Sequence, residues 1–487
     1  VLRFFNFYPN QKAMLAPGAR LRFFGEIRDG FFGAEMVHPR FAKANEDTPL
    51  PQALTPVYPT TAGVAQSALR KLIAQAIETA DLEETLPQKL DAALALPSFA
   101  EAVRFLHFPP AGAALAALEA RTHPAWQRIK FDEVLAQQLS LRRAYLARRQ
   151  RGAPALRCKG ELARRLLAAL PFALTGAQTR ACNEIVADLA APYPMQRLLQ
   201  GDVGSGKTIV AALAACHAIE AGWQVAFMAP TEILAEQHVQ KLRAWLEPLG
   251  VRVLWLAGSL KASTKKAQQA EAGAGAQLIV GTHALIQEGV DYAKLGLAIV
   301  DEQHRFGVQQ RLALRQKGGN PHQLMMSATP IPRTLAMSYY ADLDVSVIDE
   351  LPPGRTPVRT RLVSAGRRAE VIGFLERQAA EGRQAYWVCP LIEESEALQL
   401  KTALETFEHL KAELPHCRIG LVHGRLKTEE KQATMSAFQA GDIDVLVATT
   451  VIEVGVDVPN ASLMVIEHAE RFGLSQLHQL RGRVGRG

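Results

Sequence analysis

The feature of this sequence that most limits its fold is an alternation of apolar runs with amphipathic stretches, which begins after Pro171. Short apolar runs bounded by turn residues are typical of parallel strands buried on both faces, and amphipathic stretches are typical of the helices that cover them. The alternation breaks at Pro352, so it predicts two parallel α/β lobes with a cleft between them. We predict strands at 197–200, 224–230, 251–257, 277–282, 297–302 and 324–329 in the first lobe, and at 386–392, 418–424, 444–450 and 462–468 in the second.

The sequence before the lobes predicts two further regions, which makes the fold class multidomain α/β. Aromatic-rich segments predict short strands at 2–8, 19–27 and 31–38, with Asp29-Gly30 as a hairpin turn, a pattern that suits a small barrel such as an OB-fold. A Pro-rich connector follows, and the Ala- and Leu-rich stretch from Ala62 to Gln150 predicts packed helices interrupted by prolines. We expect domains at 1–55 (barrel), 56–160 (helical linker), 161–350 (first lobe) and 351–487 (second lobe).

Composition excludes several classes of protein. The chain is 48% hydrophobic and 21% charged, which argues against wholesale disorder, and no run of apolar residues is long enough for a transmembrane helix. Its five cysteines are far apart and never spaced as C-x-x-C, so we expect neither a disulfide framework nor a zinc site. Cysteines used in this way are typical of a reducing compartment, so we expect a cytoplasmic location. The opening of the chain lacks a signal-peptide layout, and because its first residue is Val1 rather than Met, we expect missing N-terminal sequence.

The charge is suited to a polyanionic partner. The net charge is +7, and basic residues cluster between Arg142 and Arg165, where only Glu161 opposes them. Such a segment can follow a phosphate backbone, or it can be an ordinary solvated helix face. Composition alone does not separate these two interpretations.

A phosphate-binding loop is predicted between an apolar strand and a helix. The sequence GDVGSGKT matches the pattern G-x-x-x-x-G-K-T, in which glycines let backbone N–H groups wrap phosphate oxygens, the lysine meets the β- and γ-phosphates, and the next hydroxyl holds Mg²⁺. We therefore predict ATP and Mg²⁺ as ligands. The residues expected to bind them here are Gly201, Gly204, Ser205, Gly206, Lys207 and Thr208.

An acidic pair ends the apolar strand LAIV and completes the predicted chemistry. Asp301 can bind Mg²⁺, and Glu302 can orient or deprotonate the attacking water. Phosphoryl transfer also needs positive charge on the γ-phosphate, which Arg483 and Arg486 of the second lobe can supply as arginine fingers. If the fingers and the loop lie on different lobes, ATP closes the cleft and hydrolysis reopens it, as a motor requires.

Taken in order, these segments resemble the motifs of superfamily 2 helicases, which implies two RecA-like lobes. The matching segments are APTEILAEQ (229–237), GTH (281–283), DEQH (301–304), SAT (327–329), HGRL (423–426), ATTVIEVGVDVP (448–459) and QLRGRVGR (479–486). The resemblance implies that Gln178 reads adenine and that Gly455, Asp457 and Gln479 belong to the ATP site. It implies nucleic-acid contacts by Thr231, Thr282, Thr449 and Thr450, and coupling of hydrolysis to movement by His304, Ser327 and Thr329.

Finer features resemble the RecG family within that superfamily. DEQHRFGVQQR, SATPIPRTLA and PPGRTPV are similar to segments of RecG and of the transcription-repair coupling factors, and the Gln-His and Gln-Gln-Arg in the first of them favour RecG. The N-terminal aromatic segment resembles the RecG wedge, an OB-fold that splits strands at a DNA branch. On that basis Phe31 and Phe32 are candidates for stacking on bases. The family continues beyond the motif that QLRGRVGR resembles, so we expect further C-terminal sequence after Gly487.

The resemblance implies a monomeric ATP-dependent helicase or translocase that acts on branched double-stranded DNA, such as stalled forks and Holliday junctions. Single-stranded-DNA-binding protein is a further candidate partner, and no membrane is expected. Three alternatives stay open: a duplex translocase of the coupling-factor type, a branched-DNA-binding protein that uses ATP only as a switch, and an RNA helicase. The intact Lys207, Asp301, Glu302 and Arg486 argue against the switch, and the DEQH motif argues against the RNA helicase.

Overall fold

The chain folds into two compact units, Val1–Ala136 and Gln137–Gly487. The structure, a computed structural model, describes residues 1–485 except for 7–8, 31–32, 45–52, 62, 259, 261, 288, 303–305, 308–309, 311–312, 315–316, 330–342, 353–357, 391–395, 450–457 and 459.

The first unit begins with two small sheets. A three-stranded sheet has the order β1-β4-β3, and a second sheet pairs β2 with β5 in antiparallel fashion. The elements are β1 (Leu2–Arg3), α1 (Pro9–Met14), β2 (Leu21–Phe24), β3 (Ile27–Gly30), β4 (Gly33–Val37) and β5 (Arg40–Lys43).

Two expectations for this region were wrong in detail. Among the described residues of the predicted strand at 2–8, only Leu2–Arg3 form a strand, and α1 begins at Pro9, whose fixed φ favours a helix start. The predicted hairpin forms between β3 and β4, but Asp29 and Gly30 lie inside β3, opposite Ala34 and Gly33, rather than in the turn. Residues 7–8 and 31–32 lie outside the described part of the chain.

Helices fill the rest of the first unit, as the sequence predicts. They are α2 (Gln66–Thr79), α3 (Gln88–Leu94), α4 (Phe99–His107), α5 (Leu115–Glu119) and α6 (Pro124–Arg149), the last of which continues into the second unit. Prolines mark their starts, since Pro87 immediately precedes α3 and Pro124 begins α6. The fully buried Arg128 binds Glu84, Asp132 and the carbonyl of Pro97, and so ties α6 to the loops before α3 and α4.

The first lobe of the second unit is a seven-stranded parallel sheet in the order β12-β6-β11-β10-β7-β9-β8. Its elements are α7 (Glu161–Ala169), α8 (Gly176–Leu189), β6 (Gln196–Gly201), α9 (Lys207–Glu220), β7 (Gln224–Met228), α10 (Glu232–Leu246), β8 (Val253–Leu256), α11 (Ala262–Gly273), β9 (Leu278–Gly281), β10 (Leu295–Val300), β11 (His322–Ser327) and β12 (Asp344–Ile348). The six predicted strands are confirmed. The edge strand β12 was not predicted.

The second lobe contains a four-stranded parallel sheet in the order β14-β15-β13-β16. Its elements are α12 (Arg368–Ala380), β13 (Gln384–Val388), α13 (Glu396–Glu413), β14 (Ile419–Val422), α14 (Thr428–Ala440), β15 (Val445–Ala448), β16 (Ala461–Ile466) and α15 (Leu474–Arg481). Alternate residues of β13 pack on opposite faces, Tyr386 in one apolar core and Trp387 in the other. The prediction of two parallel α/β lobes is confirmed, and both are RecA-like.

The basic segment around the end of α6 has a mixed role. Arg148 is buried, bonds to Asp344 of β12 at 3.0 Å, and lies over the ring of Tyr145. Arg149 stacks on Tyr193, whereas Arg151 is exposed. The segment therefore includes at least one arginine that holds α6 against the first lobe instead of facing solvent.

Candidate active site

The candidate site lies at the carboxyl ends of the parallel strands of the first lobe, the edge where ligands of open α/β sheets bind. Strand β6 ends in the loop 201–206, and α9 begins at Lys207. Gly204 and Gly206 have φ angles of +79° and +90°, which residues with a β-carbon rarely adopt. A β-carbon at Gly206 would also overlap the amide of Gln178. The loop is therefore built as a close turn into a helix N-terminus, the geometry that binds phosphate.

Lys207 lies folded against its own loop. Its Nζ donates to the carbonyl oxygens of Gly201 at 2.7 Å and of Asp202 at 2.9 Å, and the side chain is buried. The Ser205 hydroxyl is also buried and has no hydrogen-bond partner in the described structure. A buried hydroxyl without a partner is costly, so a ligand with acceptor oxygens in this loop would satisfy it.

Gln178 joins the start of α8 to the phosphate loop. Its side-chain oxygen accepts from the backbone N–H of Thr175 at 2.9 Å, and its Nε2 donates to the carbonyl of Ser205 at 2.8 Å. The Thr175 hydroxyl in turn accepts from the Gln178 N–H, which completes a capping box. Gln178, the residue expected to read adenine, is thus buried and stabilises the loop through hydrogen bonds from both the oxygen and the nitrogen of its amide.

Asp301 follows β10 and is held from three sides. Its N–H donates to Met228, its Oδ2 accepts from His238 Nε2 at 2.8 Å, and its Oδ1 accepts from the Glu302 N–H at 3.0 Å. Burial opposes ionisation, but the His238 hydrogen bond and the charges of His238 and Lys207 outweigh it and lower the pKa of Asp301. The carboxylate is therefore ionised at neutral pH, as a Mg²⁺ ligand must be.

Glu302 adopts a backbone conformation that is rare for its residue type. Its φ is +48°, although it is not a glycine. Such left-handed residues cost free energy and cluster at functional sites, where the surrounding structure holds them. Here the hydrogen bond from Glu302 N–H to Asp301 Oδ1 contributes to holding the turn.

Ser327 and Thr329 form a small polar cluster next to the loop. Their hydroxyls lie 2.7 Å apart, and the Thr329 N–H donates to Ser327 Oγ at 3.2 Å. Gln200, the residue before Gly201, donates to the Thr329 carbonyl at 3.3 Å. The SAT segment is thereby connected to the strand that carries the phosphate loop.

The second lobe reaches the phosphate loop directly. His478 Nε2 on α15 lies 3.0 Å from Asp202 Oδ1, and a β-carbon placed on Gly482 would come within 2.6 Å of Val203 Cβ. Arg483 and Gln479 belong to the same segment and are both buried. Arg483, a candidate arginine finger, thus lies in a segment of the second lobe that contacts the phosphate loop of the first lobe.

The candidate nucleic-acid residues that the structure describes differ in their surroundings. Thr231 is the N-cap of α10, where its hydroxyl accepts from the Leu234 N–H. Thr282 and Thr449 are buried, and the Thr282 hydroxyl has no partner in the described structure. Thr208 lies in the first turn of α9. The other candidates lie outside the described residues, namely Phe31, Phe32, His304, Thr450, Gly455, Asp457 and Arg486.

Three residues of the site were missed at the level of sequence. His238, Asp202 and His478 contribute hydrogen bonds across 63 and 276 positions of the chain. Asp202 stands at a variable position of its motif, and His238 lies in a helix whose other residues only suggest an amphipathic surface. The Gln-His ending of APTEILAEQH gave no sign that this imidazole meets Asp301.

The residues present are suited to ATP with Mg²⁺. The loop combines a lysine, a buried hydroxyl without a partner and glycines at positive φ, and an ionised carboxylate lies at the next strand but one. Thr208 and Asp301 provide oxygen donors, which Mg²⁺ prefers.

Comparison with known proteins gives consistent matches. The family described as "DEAD/DEAH box helicase" matches residues 175–338, and "Helicase conserved C-terminal domain" matches residues 367–487. The chain is 55% identical over 501 residues to "ATP-dependent DNA helicase RecG" of Pasteurella multocida, covering 100% of this chain and 72% of that protein. It is also 55% identical over 498 residues to the protein of the same name from Escherichia coli K12, covering 100% and 71%.

Comparison with solved structures also finds a RecG protein. The structure described as "Structure of RecG bound to three-way DNA junction" superposes with a TM-score of 0.69 at 40% identity, covering 100% of this chain and 64% of that one. Dbp5 of S. cerevisiae, bound to RNA and ADP BeF3, gives a TM-score of 0.51 at 18% identity over 68% of this chain and 85% of its own, which indicates a shared fold alone. Within the described residues, none of the helices combines the length and apolar character needed to span a bilayer.

Proposed function

This chain belongs to the RecG family of ATP-dependent DNA helicases, and from that premise we propose that it uses ATP hydrolysis to move and remodel branched duplex DNA, such as stalled forks and Holliday junctions. The observation that carries the proposal is the ATP-site cluster at the strand ends of the first lobe. There Lys207 and the ionised Asp301 lie beside the phosphate loop, and α15 of the second lobe contacts that loop. Both lobes therefore meet where the γ-phosphate would lie.

The residues of the chain divide the ATP chemistry among them. Lys207 exchanges its contacts with the loop carbonyls for the β- and γ-phosphate oxygens, and the Ser205 hydroxyl gains an acceptor. Thr208 and Asp301 would hold Mg²⁺, which when bound neutralises charge on the phosphate oxygens. Glu302 orients or deprotonates the attacking water, and Arg483 and Arg486 supply positive charge from the second lobe. Gln178 keeps the loop in place through its hydrogen bond to Ser205, and it would lie beside the adenine base.

Movement follows from the contact between the lobes. ATP draws the arginine-bearing segment after α15 toward the phosphate loop, and release of phosphate relaxes it. The hydrogen bonds joining Ser327, Thr329 and Gln200 place the SAT segment where it would sense that change. Gly455, Asp457, Gln479 and His304 complete the proposed ATP and coupling site.

Each of the two units carries residues that we propose to contact DNA. Thr231, Thr282, Thr449 and Thr450 would contact the backbone on the lobes, and Phe31 and Phe32 would meet the branch point on an OB-fold-type wedge. We keep the division into domains 1–55, 56–160, 161–350 and 351–487, which the extents of the two family matches support for the lobes. The RecG bound to a three-way DNA junction supports a branched DNA substrate for this chain. We further propose that the chain acts as a monomer on the bacterial nucleoid, with single-stranded-DNA-binding protein as a partner.

The test of the site is Lys207→Ala, with Lys266→Ala as a matched control, since Lys266 is exposed on α11 of the same lobe. Steady-state ATP turnover on a three-way junction should be abolished by the first change and unaltered by the second. Junction binding without nucleotide should survive in both. ATP turnover near the parent rate in Lys207→Ala would refute the site.

A further inference from the structure

We propose that His238 is a positioning residue for the reaction, and that it fixes the carboxylate of Asp301 in the orientation that binds the metal of the ATP site. The inference rests on the proposed function of Asp301 and deepens it. It concerns a residue of α10, outside the acidic motif and outside the phosphate loop.

The first support is the geometry of the carboxylate. Each oxygen of Asp301 accepts one hydrogen bond, Oδ2 from the His238 imidazole at 2.8 Å and Oδ1 from the Glu302 N–H at 3.0 Å. Two donors on the two oxygens define the plane of the carboxylate. A carboxylate oxygen has two acceptor directions, so one direction on each oxygen remains for a metal. Without His238, rotation about the Cβ–Cγ bond of Asp301 would be limited by a single backbone N–H.

The second support is how tightly the imidazole itself is held. The side chains of His238 and Asp301 are only 7% and 9% exposed. The His238 ring packs on Phe227 of β7, with ring centroids 4.7 Å apart and planes inclined by 47°. Since an ionised carboxylate only accepts hydrogen bonds, Nε2 carries the proton. A rigid donor of this kind sets the angle of its acceptor, as the hydrogen-bonded partners of metal-binding carboxylates do.

The third support is the position of α10 between the two lobes. Ile233 packs against the apolar core of the second lobe, and Glu236 accepts a hydrogen bond from Gln432 of α14 at 3.0 Å. At about 100° per residue, Ile233 and Glu236 lie on one side of the helix and His238 on the opposite side. Movement of the second lobe that shifts α10 therefore shifts the donor of Asp301. His238 thus connects the lobe interface to the metal ligand.

The experiment compares His238→Gln with His238→Asn. The glutamine amide reaches about as far from the backbone as imidazole Nε2, whereas the asparagine amide is one methylene shorter, so only the first retains the donor. His238→Leu removes the donor and keeps an apolar volume against Phe227. His322→Leu is the packing control, because His322 is likewise a buried histidine, with two hydrogen bonds, but stands at the start of β11, the end of the strand away from the site.

The direct readout is Mn²⁺ binding in the presence of ADP, followed by the electron paramagnetic resonance signal of free Mn²⁺. Loss of a hydrogen-bonded partner of a metal ligand weakens metal binding by about 10- to 100-fold, so His238→Asn and His238→Leu should show that loss while His238→Gln stays within about threefold of the parent. The Mg²⁺ concentration for half-maximal ATP turnover should rise in parallel. His322→Leu should lower the unfolding temperature and leave both quantities unchanged.

Two results would overturn the inference. One is parent-like Mn²⁺ affinity in His238→Asn. The other is equal loss in the asparagine and glutamine variants, which would mean that the ring packs and does not position. Asp301→Asn separates this failure from failure of the proposed function. If Asp301→Asn retains Mn²⁺ affinity, the metal site itself is wrong, whereas if it alone loses affinity, only the role of His238 is wrong.

Discussion

Arg148 gives the sharpest test of how the basic segment is used, because it looks like its neighbours in the sequence and differs from them in the structure. Its guanidinium is buried, bonds to Asp344 at 3.0 Å, lies 3.5 Å from the Gln196 carbonyl, and stands over Tyr145. Arg148→Met keeps most of the unbranched stem and removes the charge. We expect a loss of stability and no loss of DNA contact.

The size of the effect follows from the exposure of the partner. Removing one member of a buried ion pair costs about 3–5 kcal/mol when the remaining charge stays buried. Asp344 is 38% exposed, so water can solvate it after the change. We therefore expect a smaller loss, about 1–3 kcal/mol, which combines lost hydrogen bonds with lost packing. Each kcal/mol lowers the unfolding temperature by roughly 2–4 °C in a domain of about 150–250 residues, and by less in a larger unit such as Gln137–Gly487.

The assay pairs thermal unfolding with the salt dependence of junction binding. Each phosphate contact contributes about −0.9 to the slope of log affinity against log salt concentration. Arg148→Met should lower the unfolding temperature and leave that slope unchanged. The exposed Arg151 is the matched control, since Arg151→Met should leave the unfolding temperature unchanged. An Arg148→Met variant of parent stability with a slope reduced by one contact would refute the anchoring role.

The remaining predictions concern both units. The Arg128 hydrogen bond lowers the pKa of Glu84 to about 2, so the pair stabilises the fold above about pH 4.5 and that contribution is lost as pH falls toward 2. The difference in unfolding temperature between Glu84→Gln and the parent should accordingly shrink as pH falls from about 5 toward 2, and a constant difference over that range would contradict the pairing. Gly206→Ala should abolish nucleotide binding in a titration with fluorescent ADP, because its φ is +90° and its β-carbon would overlap a buried amide. A double-mutant cycle of Asp202→Asn and His478→Leu, read by the free energy of unfolding, should give a coupling of about 0.5–1.5 kcal/mol, and additivity would show that the interlobe hydrogen bond does not form.

The two lobes could be predicted because their signals are local. Apolar runs such as LAIV and the loop GDVGSGKT each carry their own pattern, and the structure confirms the strands around them. Strand β12 escaped prediction because the alternating, half-buried DVSVI is typical of an edge strand and lacks a continuous apolar run. The extent of the first N-terminal strand was misjudged because the aromatic residues suggested one continuous strand and did not reveal the helix start at Pro9.

The contacts that complete the site could not be predicted, because they join residues far apart in the chain. The imidazole of His238 meets Asp301 only when α10 packs on the sheet of the first lobe, and nothing in the sequence of α10 identifies the face that does so. For Arg148 the sequence did give a signal, but the signal was misleading. Composition grouped Arg148 with eight other basic residues as a candidate phosphate-binding segment, but its ion pair with Asp344 makes it an anchor of α6 on the first lobe.

The most direct test of the central claim is steady-state ATP turnover at one fixed salt concentration with no DNA, with linear duplex and with a three-way junction of equal length. The proposed function predicts strong stimulation by the junction over the linear duplex, and loss of that stimulation in Lys207→Ala. Equal stimulation by both DNAs would contradict branched DNA as the substrate and favour a general duplex translocase. No stimulation by either would contradict the coupling of this ATP site to DNA.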